Sequence, residues 1–294
     1  MKMKISIIDH VRARHALSLH ILTIMLMFFF TTACDKIPAD ERQTVSDKLP
    51  DWRGQYVLLQ DFTGVNCTNC PASTREIKRL QTVFGDKLIV VKLHPQSSFN
   101  EPLGPIADTN VDLRNAQAHE LFEYYGRPPL PKGVIMQKYR NSDDLLGKDL
   151  FYGRILPYYA RQTTANIELT ANLVGNTISI NTDVSFIDNH NGNSNTHLSL
   201  MILEDNLLVT QATTASEGHY IRNYRQDHVL RDMATPIWGD QIAGSNVANG
   251  TEFNHKKNIE LNSVWKRENL SVVAILFDNG TKEVIQCAVA KINY

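Results

Sequence analysis

The sequence predicts an α/β domain followed by an all-β domain, and three observations carry that prediction. From Trp52 to about Gln162, short apolar runs alternate with segments of helical spacing. From Ala165 onward, apolar residues recur at every second position, as in half-buried strands. Between the first apolar run and the first helical segment stands Cys67-Thr68-Asn69-Cys70, a pair of thiols at the entrance to a helix. At 294 residues and 43% hydrophobic content, the chain exceeds the usual size of one domain and has enough apolar material for ordinary cores.

The N-terminus carries Lys2, Lys4, Arg12 and Arg14, then the apolar run Ile21 to Phe30, then Thr31-Thr32-Ala33-Cys34. That is the layout of a secretory signal, with an apolar run too short to span a bilayer. Small residues leading into a cysteine resemble the bacterial lipobox. The resemblance implies a signal peptide at 1–33, acylation of Cys34 and a membrane anchor through that lipid. A plain signal peptide cut nearby, or an uncleaved anchor with Cys34 unmodified, are the alternatives. Residues 34–51 are polar, with two prolines and no apolar period, and read as a tether. Loss of residues 1–33 removes four basic residues and Asp9, so 30 basic and 31 acidic residues become 26 and 30, a net charge of −4. Such a surface attracts neither nucleic acid nor an anionic membrane.

The first domain, 52–164, is read as strand 56–62, helix 70–84, strand 88–94, a proline-rich loop, helix 110–125, strand 133–137 and helix 148–162. The segment Pro95 to Pro102 is a candidate lid beside the cysteines. The second domain, 165–294, begins with Ile167, Leu169, Ala171 and Leu173, continues with Ile178, Ile180, Thr182, Val184 and Phe186, and then with Leu198, Leu200 and Ile202. Val174 to Thr177 is a short turn, and Asp188 to Asn195 a polar loop. Runs at 207–213, 226–233, 253–261, 270–277 and 284–292 bring the strands to about eight, enough for an immunoglobulin-like two-sheet sandwich.

At a helix N-terminus, unpaired N–H groups and the macrodipole favour a thiolate, so Cys67 is expected to be the more exposed, nucleophilic thiol and Cys70 the resolving one. Pro71 is tolerated in the first turn, where its missing N–H has no helical partner anyway. Asp61 and Lys92 fall near the carboxyl ends of two apolar strands that would be neighbours in a parallel sheet. A buried carboxylate there is pushed toward a raised pKa and poised to accept a proton, tempered by the ammonium; a structural ion pair or a solvated strand end is the other reading.

Three registered segments carry a further resemblance. Asp61-Phe62 ahead of Cys67, Leu88 to Leu93 with Lys92, and Tyr125-Gly126-Arg127-Pro128-Pro129-Leu130-Pro131-Lys132 resemble thioredoxin. The resemblance implies a thioredoxin-like first domain, with Asp61 taking the proton of Cys70, Lys92 beside it, and Pro131 as the cis-proline that shapes the substrate groove. Val65-Asn66 and Thr68-Asn69 depart from that family's usual residues and leave redox direction open. The whole layout of lipobox, Thr63-Gly64, Cys67-Thr68-Asn69-Cys70-Pro71 and a β-rich C-terminal half is similar to the family of outer-membrane lipoproteins named for a twenty-eight-kilodalton member. This implies the outer membrane of a Gram-negative cell envelope.

The function expected on these grounds is thiol-disulfide exchange with envelope protein thiols or disulfides, needing no cofactor beyond the Cys67/Cys70 pair. Its rival is a binding or adhesin-like lipoprotein in which Cys67–Cys70 is a fixed structural disulfide. A copper or zinc site at Cys67, Cys70 and His94 is a further option. Cys287, in a strand-like run, is expected to be a buried inert thiol. His119, His190, His197, His219, His228 and His255 show no paired ligand spacing, and Trp238, Tyr220 and Tyr224 are read as core or loop packing, with loop aromatics of a binding surface as the alternative.

Overall fold

The computed structural model describes residues 49–101, 111–139 and 141–294. The signal segment, Cys34 and most of the tether lie outside the described residues. Residues 50–294 form a compact unit that is mostly β, with a large mixed sheet and few helices. Among the described residues, no helix is long and apolar enough to cross a membrane.

The first half is β1 (Val57–Phe62), α1 (Cys70–Phe84), β2 (Leu88–Leu93), α2 (Ala116–Tyr124), β3 (Lys132–Ile135) and α3 (Phe151–Tyr159). Both β1 and β2 are buried along their whole length, as apolar strands covered on two faces must be. They pair in parallel, which sets Asp61 opposite Lys92, while β3 runs antiparallel on the far side of β1 with Lys132 opposite Phe62. Helix α1 buries Ile77, Leu80 and Phe84 on one face.

Two helices are shorter than their spacing suggested. α2 starts at Ala116 because Asn115 caps it, its side chain accepting from the Ala118 N–H at 2.8 Å. α3 follows a 3₁₀ turn at Lys148–Leu150 and ends at Tyr159. Beyond it Gln162 bridges to Gly54, and Arg161 is drawn to Gln55 and Glu283, so the chain leaves the helix for extended pairing.

The second half supplies β4 (Ala165–Val174), β5 (Thr177–Phe186), β6 (His190–Asn191), β7 (Thr196–Glu204), β8 (Leu207–Ala212) and β9 (Tyr220–Gln226). It continues with β10 (Val229–Met233), β11 (Asp240–Ala243), β12 (Asn246–Val247), β13 (Glu252–Glu260), β14 (Leu270–Asp278) and β15 (Val284–Asn293). The period-two residues Ile178, Ile180, Thr182, Val184 and Phe186 of β5 are all buried. Ile178, Ile180, Val184 and Phe186 pack in one core with Leu198, Leu200 and Ile202 of β7 and with Val272, Ala274 and Leu276 of β14. This packing is consistent with a β-sandwich.

All nine residues of β14 are buried, so its second face is covered as well. The sheet order is β13-β5-β4-β15-β14-β7-β10-β2-β1-β3, with β11 beside β7. Strand β10 is the join between the halves: Val229 pairs with Lys92, and the Lys92 N–H donates to the His228 carbonyl at 2.8 Å. The expected run 226–233 is split, because His228 adopts a left-handed φ of 61° and turns the chain. Gln226 belongs to β9, which pairs with β8 in a hairpin outside the main sheet.

Candidate functional site

The chain leaves β1 at Phe62 and turns through Gly64 to Cys70. The Cys67 N–H donates to the Gly64 carbonyl and the Cys70 N–H to the Cys67 carbonyl, each at 3.2 Å. Cys67 and Cys70 form a disulfide with a Cα separation of 5.4 Å. Cys70 opens α1 with Pro71 in its first turn, and no side chain caps the helix, so its N-terminal dipole faces the sulfurs uncompensated.

Cys67 is 4% exposed and Cys70 2%, so Cys67 is the more exposed of the pair but both are buried, while Thr68 and Asn69 between them are open to solvent. The cover comes from the second half of the chain. Ala212 donates its N–H to the Val65 carbonyl at 2.7 Å, and Gln211 donates from Nε2 to the carbonyls of Gly64 (2.9 Å) and Cys67 (3.2 Å). Leu207 and Val209 of β8 pack with Val65, Leu113 and Val229, Tyr224 of β9 joins them, and Arg75 on α1 meets Glu217 at 3.0 Å. On the other side, Asn66 donates its backbone N–H to the Phe99 carbonyl at 2.8 Å and its side-chain amide to the Ser98 and Glu101 carbonyls. The segment expected as a lid is therefore tied to the Cys67 loop through its described residues.

Beneath the first turn of α1 lies Asp61, fully buried. Its Oδ1 accepts from Ser73 Oγ at 3.4 Å, and its Oδ2 has no partner. Ser73 stands three residues after Cys70, on the same buried face of the helix. Burial pushes the Asp61 carboxyl up to about 7, opposed by the Lys92 cation and the Ser73 hydroxyl. Burial also pulls Lys92 down to about 8, against the attraction of Asp61. Lys92 donates to Thr74 Oγ1 at 3.2 Å and to Gln226 Oε1 at 2.9 Å. The carboxyl is thus a group that gains or loses a proton near neutral pH, one helical layer below the disulfide.

Pro131 lies one position beyond the Phe62–Lys132 pair, and the Leu130–Pro131 peptide is cis. Leu130 sits against the Gly64 turn. His94 turns to Asn100: the Asn100 amide donates to the Thr63 carbonyl, which leaves its Oδ1 to accept from His94 Nδ1 at 2.8 Å and makes the ring the neutral Nδ1–H tautomer. Burial drives the His94 pKa to about 3. Among the described residues, no group of three or more His, Cys, Asp or Glu side chains is arranged to hold a metal ion. Cys287 is a buried free thiol whose pKa burial raises. Trp238 packs against Tyr124 and Phe277, and Tyr220 is partly exposed. A cavity of about 340 Å³ lined by Gln55, Arg161, His190, Asp278 and Thr281 contains none of the cysteine-site residues.

Gln211, Gln226, Asn100 and Thr74 were not legible as site residues. Gln211 and Thr74 interrupt a strand or helix face that is otherwise buried, whereas Gln226 and Asn100 are the buried residues of a strand and a turn that are otherwise exposed or half-buried, and their sequence surroundings give no signal.

A model of the outer membrane protein family Omp28 matches residues 118–294, a span that begins after both cysteines. No curated protein matches the chain by sequence. Among solved structures, HBP35 of Porphyromonas gingivalis is 14% identical and aligns over 83% of this chain and 76% of its own with a TM-score of 0.61, a likeness of fold. A domain of the outer membrane lipoprotein Omp28 from Porphyromonas gingivalis is 19% identical over 45% of this chain and 89% of its own, with a TM-score of 0.30.

Proposed function

Because the chain belongs to the Omp28 family of outer membrane proteins, at the outer membrane of a Gram-negative cell envelope, we propose that it exchanges thiols and disulfides there through Cys67 and Cys70. In this reading residues 52–164 are a thioredoxin-like domain, and lipid on Cys34 anchors the chain. The observation that carries the reading is Asp61, a fully buried carboxyl with an unpartnered oxygen and a pKa raised to about 7, set under the helix turn that starts with Cys70.

In the reduced protein, the Cys67 thiolate attacks a substrate disulfide, forms a mixed disulfide and expels one substrate thiolate. Asp61 then takes the proton of the Cys70 thiol, and the Cys70 sulfur attacks Cys67, releasing the second substrate thiolate and closing the disulfide. Two electrons pass from the Cys67/Cys70 dithiol to the substrate, and the reverse sequence oxidises a substrate dithiol. Lys92 sets the charge beside Asp61, and Pro131 shapes the groove. The burial of both sulfurs favours a second reading, a binding lipoprotein with a structural disulfide.

The test is the reduction potential of the Cys67–Cys70 pair in the full chain in detergent, equilibrated against defined thiol buffers with Cys287 changed to Ser. A value between about −270 and −120 mV supports exchange, whereas one well below about −300 mV makes the disulfide structural.

A further inference from the structure

Lys92, Gln226 and Gln211 lie on β2, β9 and β8, and none is more than 2% exposed. Lys92 donates to Gln226 Oε1 at 2.9 Å, Gln226 Nε2 donates to Gln211 Oε1 at 2.9 Å, and Gln211 Nε2 donates to the Cys67 carbonyl at 3.2 Å. An ammonium only donates, so the cation requires the oxygen end of the Gln226 amide. The nitrogen end then faces Gln211, which must answer with its own oxygen, and that leaves the Gln211 nitrogen for the backbone carbonyls of Gly64 and Cys67. Lys92 therefore fixes the orientation of both amides, and the chain of hydrogen bonds runs in one direction from the cation to the cysteine loop.

Such a chain exceeds what filling the hairpin interface requires. Apolar side chains of similar size would pack there without an orientation to satisfy, whereas a buried polar chain is stable only when every member is paired. We propose that Gln226 and Gln211 are positioning residues of the cysteine site, holding the Lys92 cation beside Asp61 and the Cys67 carbonyl in place from the β8–β9 hairpin. This rests on the thiol-exchange reading of Cys67 and Cys70. The groups facing the Asp61–Lys92 pair are Ser73 and Lys78 of α1, Tyr224 of β9, Asp227 and His228 after it, and His94 after β2. A change confined to Gln226 leaves all of them in place.

The test uses the full chain in detergent with Gln226→Met, which keeps the volume and removes the shorter of the two hydrogen bonds that Lys92 donates, leaving the one to Thr74. The carboxyl band of Asp61, identified by its loss in Asp61→Asn, is titrated by infrared difference spectroscopy. With only Thr74 left to accept from it the cation is held less firmly, and the Asp61 midpoint rises by about one pH unit. A folded Gln226→Met with an unmoved midpoint overturns the assignment. If that variant does not fold, Gln211→Met leaves Thr74 Oγ1 and Gln226 Oε1 as acceptors of Lys92 and removes the hydrogen bonds from Gln211 to the Gly64 and Cys67 carbonyls and the one it accepts from Gln226. Dithiol reduction of the disulfide then quickens at least about five-fold, the effect of losing one buried hydrogen bond or more, and an unchanged rate overturns the assignment. The carboxyl titration needs no substrate, so a wild-type chain that fails to exchange thiols sinks the exchange reading while leaving the test of Gln226 intact.

Discussion

Ala212 gives its backbone N–H to the Val65 carbonyl at 2.7 Å, and that contact closes the β8–β9 hairpin over the loop that carries Cys67. With Cys67 4% and Cys70 2% exposed, reduction of the disulfide is expected to require this cover to open, so that its rate reports the opening free energy. Val209 is 3% exposed in the apolar contact beneath the hairpin. Val209→Ala removes about 1 to 1.5 kcal/mol of that contact, and reduction by excess dithiothreitol is expected to accelerate about ten-fold while the fold is retained. The check is the rate of thiol release under native conditions.

The Asp61 pKa is raised in the folded chain from an ordinary 3.8 to about 7. The folded state therefore binds the proton more tightly than the unfolded one, and this contribution is fully present below pH 4 and lost as pH rises through 7. Asp61→Asn abolishes the loss. Its gain over the wild type is expected to be absent near pH 4 and to grow to as much as about 4 kcal/mol above pH 7, taking 1.36 kcal/mol per pKa unit. Urea unfolding of both chains at pH 4, 6 and 8 measures it; a gain that is the same at every pH would contradict the buried-carboxyl account.

The strands and helices around the site were readable because they are local. β1, α1 and β2 lie almost where apolar runs and helical spacing put them, as do β5 and β14. The family resemblance drawn from the lipobox, the cysteine segment and the β-rich C-terminal half agrees with a family match over residues 118–294, which covers the last of these. β9 was not foreseen: Tyr220-Ile221-Arg222-Asn223-Tyr224-Arg225-Gln226 is mostly polar, and its strand state comes from pairing with β8 rather than from its own pattern. The burial of Cys67 was equally out of reach, since Gln211 lies 144 residues away from it and a glutamine in a strand carries no signal of its partner. Long-range hydrogen bonds from uncharged side chains leave no spacing to read.

Glu204 and Arg231 join β7 to β10 near the seam between the halves. They are 1% and 12% exposed, with Nε and Oε2 3.2 Å apart, and the other Glu204 oxygen accepts from the Lys266 N–H at 2.9 Å. Removing Glu204 takes away the only carboxylate among the described residues in ion-pair contact with Arg231, leaving it Asp112 as a more distant negative charge, and leaves the Lys266 N–H without its acceptor. Glu204→Ala is expected to cost about 3 kcal/mol of stability, whereas exposed Lys148→Ala, whose pair with Asp149 is open to solvent, stays within about 0.5 kcal/mol of the wild type. Denaturant midpoints of the two variants separate the cases.

Gly64 has no room for a side chain. A Cβ there would stand 2.5 Å from the Phe99 carbonyl oxygen, 3.1 Å from its carbon and 3.2 Å from Leu130 Cδ1. The Phe99 oxygen already accepts from the Asn66 N–H, and the Gly64 carbonyl from Gln211, so the 98–100 turn or the Cys67 loop must move to admit a methyl group. Gly64→Ala is expected to lose about 1 to 3 kcal/mol by overpacking and to speed reduction of the disulfide several-fold, because the displaced contacts are the ones that seat both covers. Gly147 meets nothing within 4 Å of its own Cβ position, and Gly147→Ala should leave both readouts unchanged. Thermal unfolding together with dithiothreitol kinetics on the two variants tests the claim; equal behaviour of Gly64→Ala and Gly147→Ala would show that the cover over Cys67 yields freely.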